Sequence, residues 1–185
     1  MQEYTVKVYY DRTEWYQNDK LHRIDGPAVE YASGEKVWCQ NGERHRIDGP
    51  AIEWNNGVKS WYKNGKPHRL DGPAFVYTDG DEFWYKDGKY HRTDGPAIVT
   101  KNRKEWYQNG KRHRLDGPAV EYSNGAKFWY QNGERHRTDG PAMEYSSGSV
   151  TYWENDVQIP NPNKTKEMTV AEISDALGYN VKVVK

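Results

Sequence analysis

One seven-residue motif, His-Arg-x-Asp-Gly-Pro-Ala, occurs six times in this chain and constrains its fold more than any other feature. The spacings between successive copies are 23, 23, 23, 22 and 23 residues. A fixed period of this size predicts an array of stacked units, in which each unit covers the open face of its neighbour. The copies begin at all the histidines of the protein: His22, His45, His68, His91, His113 and His136.

The composition predicts a folded chain with no overall electrostatic field. Aliphatic residues are few, but the chain has 8 Trp and 15 Tyr, and each large ring buries much area. The 27 basic and 27 acidic residues cancel. A neutral chain does not attract polyanions, so nucleic-acid binding is disfavoured. The opening residues have no features of a signal peptide, and no apolar run is long enough to cross a bilayer. We therefore expect no membrane contact and a cytoplasmic location.

Paired turn signals inside each repeat predict β-hairpins. Asn-Gly and Asp-Gly supply the positive φ angles of tight turns, and most repeats have two such turns, as at Asn41-Gly42 and Asn56-Gly57. The spacing leaves about two short strands per repeat. We predict an all-β fold: an elongated single-sheet ribbon of about six stacked 23-residue β-hairpin repeats, with a small C-terminal helix-plus-strand cap. The expected core residues follow each motif alanine: Val29, Ile52, Phe75, Ile98, Val120 and Met143.

Four segments are expected along the chain: an N-terminal edge strand at 1–14, the six-repeat β array at 15–158, a linker at 159–168, and a C-terminal helix and strand at 169–185. Thr169 and Glu172 form a capping box for the helix, and Val181 and Val183 alternate in the last strand. This C-terminal segment is expected to pack on the array as a cap or to dock elsewhere as a tail.

The fourth repeat departs from the pattern. It lacks one residue, Thr100 replaces an aromatic residue, and its second turn reads Asn102-Arg103 instead of ending in glycine. Both a local bend or groove and a simple shortening of the turn are compatible with this change. Cys39 stands where the other repeats have tyrosine, which favours a packing role over a reactive thiol.

The repeated His and Asp could suggest a metal or acid–base site. A stack, however, spaces identical groups about 10 Å apart, too far for two histidines to share a metal. We therefore predict a non-enzymatic chain with no cofactor, metal or catalytic residue. In this interpretation the motif is a structural joint, whose Asp accepts a hydrogen bond from the Arg two places away or from the Arg of the next unit. A repeated ligand-binding ladder is the alternative. The joint residues are His22, Arg23, Asp25, His45, Arg46, Asp48, His68, Arg69, Asp71, His91, Arg92, Asp94, His113, Arg114, Asp116, His136, Arg137 and Asp139.

Binding specificity is expected where the repeats differ, as at the residue before each motif histidine. Arginines interleaved with Trp and Tyr suit a protein hot spot, and equally a nucleotide held by stacking and phosphate contacts. A solvated rim is the alternative interpretation. The candidate partner- or ligand-binding residues are Tyr90, Arg103, Trp106, Arg112, Trp129 and Arg135.

The repeats resemble a known family. Residues 107–113 (Tyr-Gln-Asn-Gly-Lys-Arg-His) and 121–125 (Glu-Tyr-Ser-Asn-Gly) are similar to MORN repeats and to the MORN-like repeats of bacterial antitoxins, and the likeness extends over roughly 15–153. The resemblance implies a twisted ribbon of β-hairpins that serves as a binding or assembly scaffold. This chain differs in having Arg-x-Asp between the His and Gly-Pro-Ala, so a membrane-lipid partner does not carry over from the family.

The C-terminal segment, from Thr169 to Val183, is similar to the C-termini of small proteins of large tailed bacteriophages. This likeness implies a phage-encoded binding protein that inhibits or sequesters a host defence component in the host cytoplasm. One alternative is a sponge for a nucleotide-type signalling molecule, and a disfavoured one is nucleic-acid binding. The expected partner is thus a host protein or a small nucleotide-like ligand. Self-association through the sheet edges or the C-terminal cap is a further expectation.

Overall fold

The structure is a computed structural model that describes residues 3–164, 168–178 and 180–182. It is almost entirely β, which confirms the predicted ribbon of hairpin repeats with a small C-terminal helix. We number the units 1 to 6 from their first residues, which are Trp15, Trp38, Trp61, Trp84, Trp106 and Trp129. The elements in chain order are β1 (Thr5–Val8), β2 (Arg12–Gln17), β3 (Lys20–Leu21), β4 (Val29–Tyr31), β5 (Lys36–Val37), β6 (Cys39–Gln40), β7 (Glu43–Arg44), β8 (Ile52–Glu53), β9 (Lys59–Ser60), β10 (Tyr62–Lys63), β11 (Lys66–Pro67), β12 (Phe75–Val76), β13 (Glu82–Phe83), β14 (Tyr85–Lys86), β15 (Lys89–Tyr90), β16 (Ile98–Val99), β17 (Arg103–Glu105), β18 (Tyr107–Gln108), β19 (Lys111–Arg112), β20 (Val120–Tyr122), β21 (Lys127–Phe128), β22 (Tyr130–Gln131), β23 (Glu134–Arg135), β24 (Met143–Glu144), β25 (Val150–Glu154), β26 (Val157–Ile159) and α1 (Val170–Leu177).

One long antiparallel sheet runs through the whole array. Each unit contributes to this sheet one strand directly after the motif alanine and one strand before the next tryptophan. These are the two short strands per repeat that the spacing of the turns predicts. The order of its strands is β1-β2-β4-β5-β8-β9-β12-β13-β16-β17-β20-β21-β24-β25-β26, with β3 beside β2.

A row of separate two-stranded hairpins accompanies the long sheet. Each is built from the segment that follows the opening Trp: β6–β7, β10–β11, β14–β15, β18–β19 and β22–β23. Their turns place an Asn or Asp at φ of 49° to 53° and a Gly after it, also at positive φ. This left-handed geometry is why Asn-Gly recurs there. The prediction of a single sheet with about two strands per repeat did not include these side hairpins, which add two further strands to each of units 2 to 6.

The core lies in the angle between the long sheet and the side hairpins. Ala51 and Ile52 of the long sheet pack with Tyr62 of a side hairpin, and Val37 and Phe75 pack against them. The predicted core residues are buried, except that Phe75 is half-buried. The alanine of every motif copy is completely buried, because the side hairpin and the long sheet meet at that point.

The opposite face of the long sheet carries a ladder of alternating acidic and basic residues. Glu30 lies opposite Lys36, which in turn lies opposite Glu53. Opposite charges on directly facing residues stabilise a sheet modestly. The ladder comprises Glu30, Lys36, Glu53 and Lys59, then Val76, Glu82 and Val99, and then Lys104, Glu121, Lys127 and Glu144.

The two ends of the chain differ from the array. The alternation of Tyr4, Val6, Val8 and Tyr10 predicts a half-buried N-terminal strand. That strand is present as β1, but all four of its residues are exposed. The predicted capping box is also present: the Thr169 hydroxyl accepts from the Glu172 N–H at 3.3 Å, and the Glu172 carboxylate accepts from the Thr169 N–H at 2.8 Å. No residue of α1 is buried. Residues 180–182 form no strand, and Val183 lies outside the described residues.

Candidate functional site

Each motif arginine is held over the tryptophan of its own unit. The Cζ atom lies 3.8 to 4.2 Å from the centroid of the Trp ring in all six units. Its Nε donates to the Asp two residues later at 2.8 to 3.1 Å. Its Nη1 donates to the carbonyl of the motif proline at 3.2 to 3.4 Å. The Asp therefore pairs within its own unit, which is the first of the two pairings that the sequence left open.

The motif glycine leaves room for this stacked arginine. A Cβ atom on the glycine would lie 2.7 to 3.0 Å from the arginine Cζ in every unit, at or below the shortest distance at which real Cβ atoms approach a neighbour. The hydrogen bond from Arg lowers the pKa of the Asp carboxyl in units 2 to 6, namely at Asp48, Asp71, Asp94, Asp116 and Asp139. Arg, Asp and Gly of the motif thus cooperate in one local arrangement over the Trp ring.

The motif histidine joins one unit to the next. Nδ1 of His22 accepts from the backbone N–H of Asn41 at 3.1 Å, and every other motif histidine has the equivalent contact at 3.1 to 3.4 Å. Two backbone bonds lie beside it: Gly42 N–H donates to Leu21 at 2.9 Å, and Arg23 N–H donates to Cys39 at 3.1 Å. The turn of each side hairpin is thereby docked on the preceding unit. An Nδ1 acceptor places the proton of a neutral imidazole on Nε2.

Two of these joints have a closer side-chain contact. Nδ1 of His45 lies 2.7 Å from Asn64 Oδ1, and Nδ1 of His68 lies 2.8 Å from Asp87 Oδ1. At both, the backbone N–H is farther away, at 3.2 Å. With a proton on Nδ1, the histidine can donate a hydrogen bond to the side-chain oxygen. Without that proton, Nδ1 can accept a hydrogen bond from the backbone N–H instead. At the joint of units 3 and 4 the side-chain oxygen belongs to the carboxylate of Asp87.

The array continues one step beyond the last motif copy. Asn155 N–H donates to His136 Nδ1 at 3.4 Å, and Arg137 N–H donates to the carbonyl of Trp153 at 3.1 Å. The hairpin β25–β26 thus docks on unit 6 as a side hairpin docks elsewhere. The last motif copy ends at Ala142, but Tyr152, Trp153 and Asn155 occupy the Trp, Tyr and Asn positions of a seventh unit.

Three of the six candidate binding residues converge around a buried carboxylate. Glu105 is 2% exposed, and its Oε1 accepts from Arg103 Nε at 2.6 Å. Its Oε2 accepts from Arg112 Nε at 2.9 Å and from the Tyr107 hydroxyl at 3.1 Å. The Tyr90 ring lies 5.1 Å from the Tyr107 ring. Two arginines share one glutamate here, so this Arg103–Glu105–Arg112 cluster has a net positive charge.

The other three candidates lie elsewhere and already have partners. Trp106 and Trp129 are the rings under Arg114 and Arg137, so one face of each ring is covered. Arg135 lies 3.5 Å above the Trp153 ring and donates to Asp156 at 2.6 Å. The six predicted residues therefore do not form a single site.

A groove opens where the fourth unit departs from the pattern, as one of the two interpretations of the sequence proposed. It has a volume of about 450 Å³ and lies between the second turns of units 3 and 4. Thr100 and Phe83 line it, together with Arg103 of the Arg103–Glu105–Arg112 cluster. Acidic residues, Asp79 and Asp81, line it as well.

Glu105 was not among the candidates, although the sequence held a signal for it. Residues 103–107 (Arg-Lys-Glu-Trp-Tyr) repeat the spacing of residues 12–16 (Arg-Thr-Glu-Trp-Tyr). In the first of these copies along the chain, Glu14 accepts from Arg12 at 2.7 Å and from Tyr16 at 2.6 Å. That hydrogen bond to Glu14 raises the pKa of Tyr16 to about 12. Leu21 occupies the position that corresponds to Arg112, opposite the tyrosine, so the first copy has no second arginine.

Exposed aliphatic side chains stand on successive motif loops. At the variable position of the motif, Ile24, Ile47 and Leu70 are 57%, 86% and 70% exposed. We call these three residues the apolar ridge. A groove of about 420 Å³ separates the first two loops and one of about 670 Å³ separates the next two. Units 4 and 6 have Thr93 and Thr138 at this position, and unit 5 has an isolated Leu115, which is 75% exposed.

The apolar ridge was also missed among the sequence-based candidates. The signal was an aliphatic residue inside a polar turn, at the variable position of the motif. Such a residue cannot reach the core from a loop tip, so it must face solvent.

The described residues contain no group of three or more His, Cys, Asp or Glu side chains that could hold a metal ion. None of the helical structure described has the length and apolar character required to cross a bilayer. Burial raises the pKa of the Cys39 thiol. Comparison with models of known protein families gives no match to this chain, and comparison with curated proteins gives no significant match.

Proposed function

We propose that this chain is a non-enzymatic repeat scaffold that binds a protein partner along its motif loops. The apolar ridge carries the proposal, because Ile24, Ile47 and Leu70 present three aliphatic side chains to solvent at consecutive units. Exposed apolar side chains clustered on neighbouring loops indicate an interaction site, and a partner that fills the grooves between the loops would contact all three. The stacked Arg, Trp and Asp side chains fix the loops beneath, so little conformational entropy would be lost on binding.

The chemistry beside the ridge indicates the character of the partner. The side chains of Asp25, Asp48 and Asp71 are strongly exposed, and Oδ1 of each accepts from the motif arginine of its own unit. A partner surface that combines aliphatic side chains with lysine or arginine would complement the ridge and its grooves. We propose that this partner is a host protein, such as a defence component inhibited or sequestered in the bacterial cytoplasm by a phage-encoded chain. The C-terminal resemblance supports that origin.

Affinity capture with matched variants tests this proposal. Ile47→Asp alters the centre of the ridge, and Leu115→Asp makes the same change at the isolated motif position of unit 5. Both residues are exposed, so both variants are expected to keep the wild-type circular dichroism. A bacterial protein that wild type and Leu115→Asp retain, and that Ile47→Asp loses, would support the proposal. Equal recovery by all three chains would contradict the proposal. If a partner is found, titration of the purified chain with the purified partner measures the affinity.

A nucleotide-type ligand is the second candidate, and the Arg103–Glu105–Arg112 cluster favours it. Both arginines donate to Glu105 through Nε, so their Nη groups remain able to bind phosphate oxygens. The groove at Arg103 offers space for a small molecule. Calorimetric titration with mono-, di- and cyclic dinucleotides tests this function. Heat that disappears in Arg103→Ala supports it, and no heat with any nucleotide rejects it.

A further inference from the structure

The first strand of the long sheet is unusually exposed. Every other strand of that sheet has at least one buried or half-buried residue, whereas all four residues of β1 are exposed. Val6 and Val8 are 48% and 77% exposed. Within the described part of the chain, β1 pairs with β2 on one side and with no strand on the other. An exposed edge strand with unpaired backbone groups is a template for another strand.

The backbone of β1 leaves specific groups free at this edge. Trp15 N–H donates to Ala28, away from β1, and Tyr9 N–H donates to Arg12, towards β2. Bonding alternates along an antiparallel ladder, so Thr5 and Lys7 face β2. The N–H and C=O groups of Val6 and Val8 therefore point to the free edge.

The directions of the two edge strands determine how a second copy of the chain can extend the sheet. The main path has 15 strands, each antiparallel to its neighbour, so its two edge strands β1 and β26 run in the same direction. Head-to-tail translation of one copy onto another would pair these edges in parallel. A two-fold axis at β1 instead gives an antiparallel pair, keeps each face of the sheet on its own side, and closes the assembly at two copies.

We propose that two copies of this chain associate through β1, with Val6 of one copy directly opposite Val6 of the other. Val6 is then a hydrogen-bonded pair across the axis, Thr5 lies opposite Lys7, and Tyr4 lies opposite Val8. A register centred on Lys7 would oppose two like charges at the closest spacing of the ladder, which is unfavourable. A register centred on Val8 would use Tyr10, which lies beyond the end of β1.

The other edge is a poorer site for a two-fold pair. β26 has three residues and is followed by Pro160, which has no N–H to donate. The three residues of β26 also offer fewer backbone groups to a partner strand than the four residues of β1. The pairing through β1 avoids both problems.

Light scattering over a range of concentrations tests the assembly, because a pair of short strands buries less area than a standard interface. We expect the mass to rise from that of one 21.6 kDa chain towards that of two chains as the concentration increases. Val6→Lys with Val8→Lys should restore a monomer by charging the edge. Val157→Lys, on β26, is the matched control and should leave the dimer unchanged. A monomer at every concentration would overturn the proposal.

Engineered cysteines test the register. Hydrogen-bonded antiparallel pairs have Cα atoms about 5.5 Å apart, within the range of a disulfide. Val6→Cys should therefore link to itself on mild oxidation or with a short bismaleimide. The wild-type chain is the control, since its single cysteine, Cys39, is buried. Self-linking of Val8→Cys or Val157→Cys in place of Val6→Cys would refute the pairing stated here.

Discussion

Arg112 donates from Nε to the buried Oε2 of Glu105 at 2.9 Å and thereby ties a side hairpin to the long sheet. Arg112 belongs to β19, and Glu105 belongs to β17. The residues directly opposite Glu105 on the two neighbouring strands are Ile98 and Val120. The carboxylate therefore stands where an apolar side chain would be expected. Burial lowers the pKa of the Arg112 guanidinium, but the attraction of Glu105 outweighs it and the net shift is upward.

Removing this carboxylate should be tolerated far better than removing its arginines. Glu105→Val gives an apolar residue beside Ile98 and Val120 and leaves two partly solvated arginines, so we expect little change in unfolding free energy. Arg103→Ala with Arg112→Ala leaves the buried carboxylate unpaired. That should cost on the order of 2–3 kcal/mol, less than for a wholly buried pair because both arginines are partly exposed. Urea unfolding of the variants measures the difference, and a larger loss in Glu105→Val would contradict it.

Adding a methyl group to the motif glycine should displace the stacked arginine. In unit 3 a Cβ atom at Gly72 would lie 2.7 Å from Arg69 Cζ, so Gly72→Ala is expected to destabilise the protein by about 1–3 kcal/mol. In an Arg69→Ala background the space is empty, and the same change should cost much less. A thermodynamic cycle over the four chains measures the coupling. Equal costs in both backgrounds would show that the glycine serves another purpose.

The histidine joint should control the local opening of its side hairpin. His113→Ala removes the acceptor for Asn132 N–H, which lies 3.1 Å from Nδ1. Loss of one hydrogen bond of this kind costs about 1 kcal/mol, so hydrogen exchange at Asn132 should become several-fold faster. The amide of Asn64, at the unchanged joint of units 2 and 3, is the internal reference. Unaltered exchange at Asn132 would mean that the backbone bonds alone hold the hairpin.

The motif aspartates should make stability fall in acid. The hydrogen bond from Arg69 lowers the folded-state pKa of Asp71, and the equivalent bonds act in four further units. An aspartate whose pKa is lower in the folded state than in the unfolded state stabilises the folded protein. This stabilisation is fully present above the unfolded-state pKa and is lost as the pH falls through the folded-state pKa. The melting temperature should therefore decrease below about pH 4. Changing Asp48, Asp71, Asp94, Asp116 and Asp139 to Asn should flatten that decrease, and an unchanged profile would assign it to other groups.

The period and the turns were enough to predict most of the fold. Asn41-Gly42 and Asn56-Gly57 specify turns through local φ preferences, and Val29 and Ile52 follow a motif alanine that is always buried. Those signals are local, so they can be recognised in a sequence. The docking of the side hairpins could not be predicted from such local signals. It depends on a histidine and a backbone N–H that lie 19 residues apart in most units.

The candidate site was less predictable because it depends on contacts between units. The residue before each opening Trp is Val37 in one unit, Ser60 in the next and Glu105 in the fourth, and this variety conceals that the position faces inward. Trp106 and Trp129 suggested free stacking surfaces, but a motif arginine eight residues later covers one face of each ring. Only the folded register brings Arg103 and Arg112 to one carboxylate.

The Glu–Lys ladder has a consequence for how such an array can change in length. Acidic and basic side chains are matched between neighbouring strands, as Glu30 is with Lys36 and Glu121 with Lys127. In unit 2 the basic residues Arg44, Arg46 and Lys59 match the acidic residues Glu43, Asp48 and Glu53. Duplication of this unit would leave the net charge of the protein, and with it the solubility, nearly unaltered. The length of the array could thus be adjusted by recombination of such a balanced unit to match a larger or smaller target, because the unit supplies its own counter-charges.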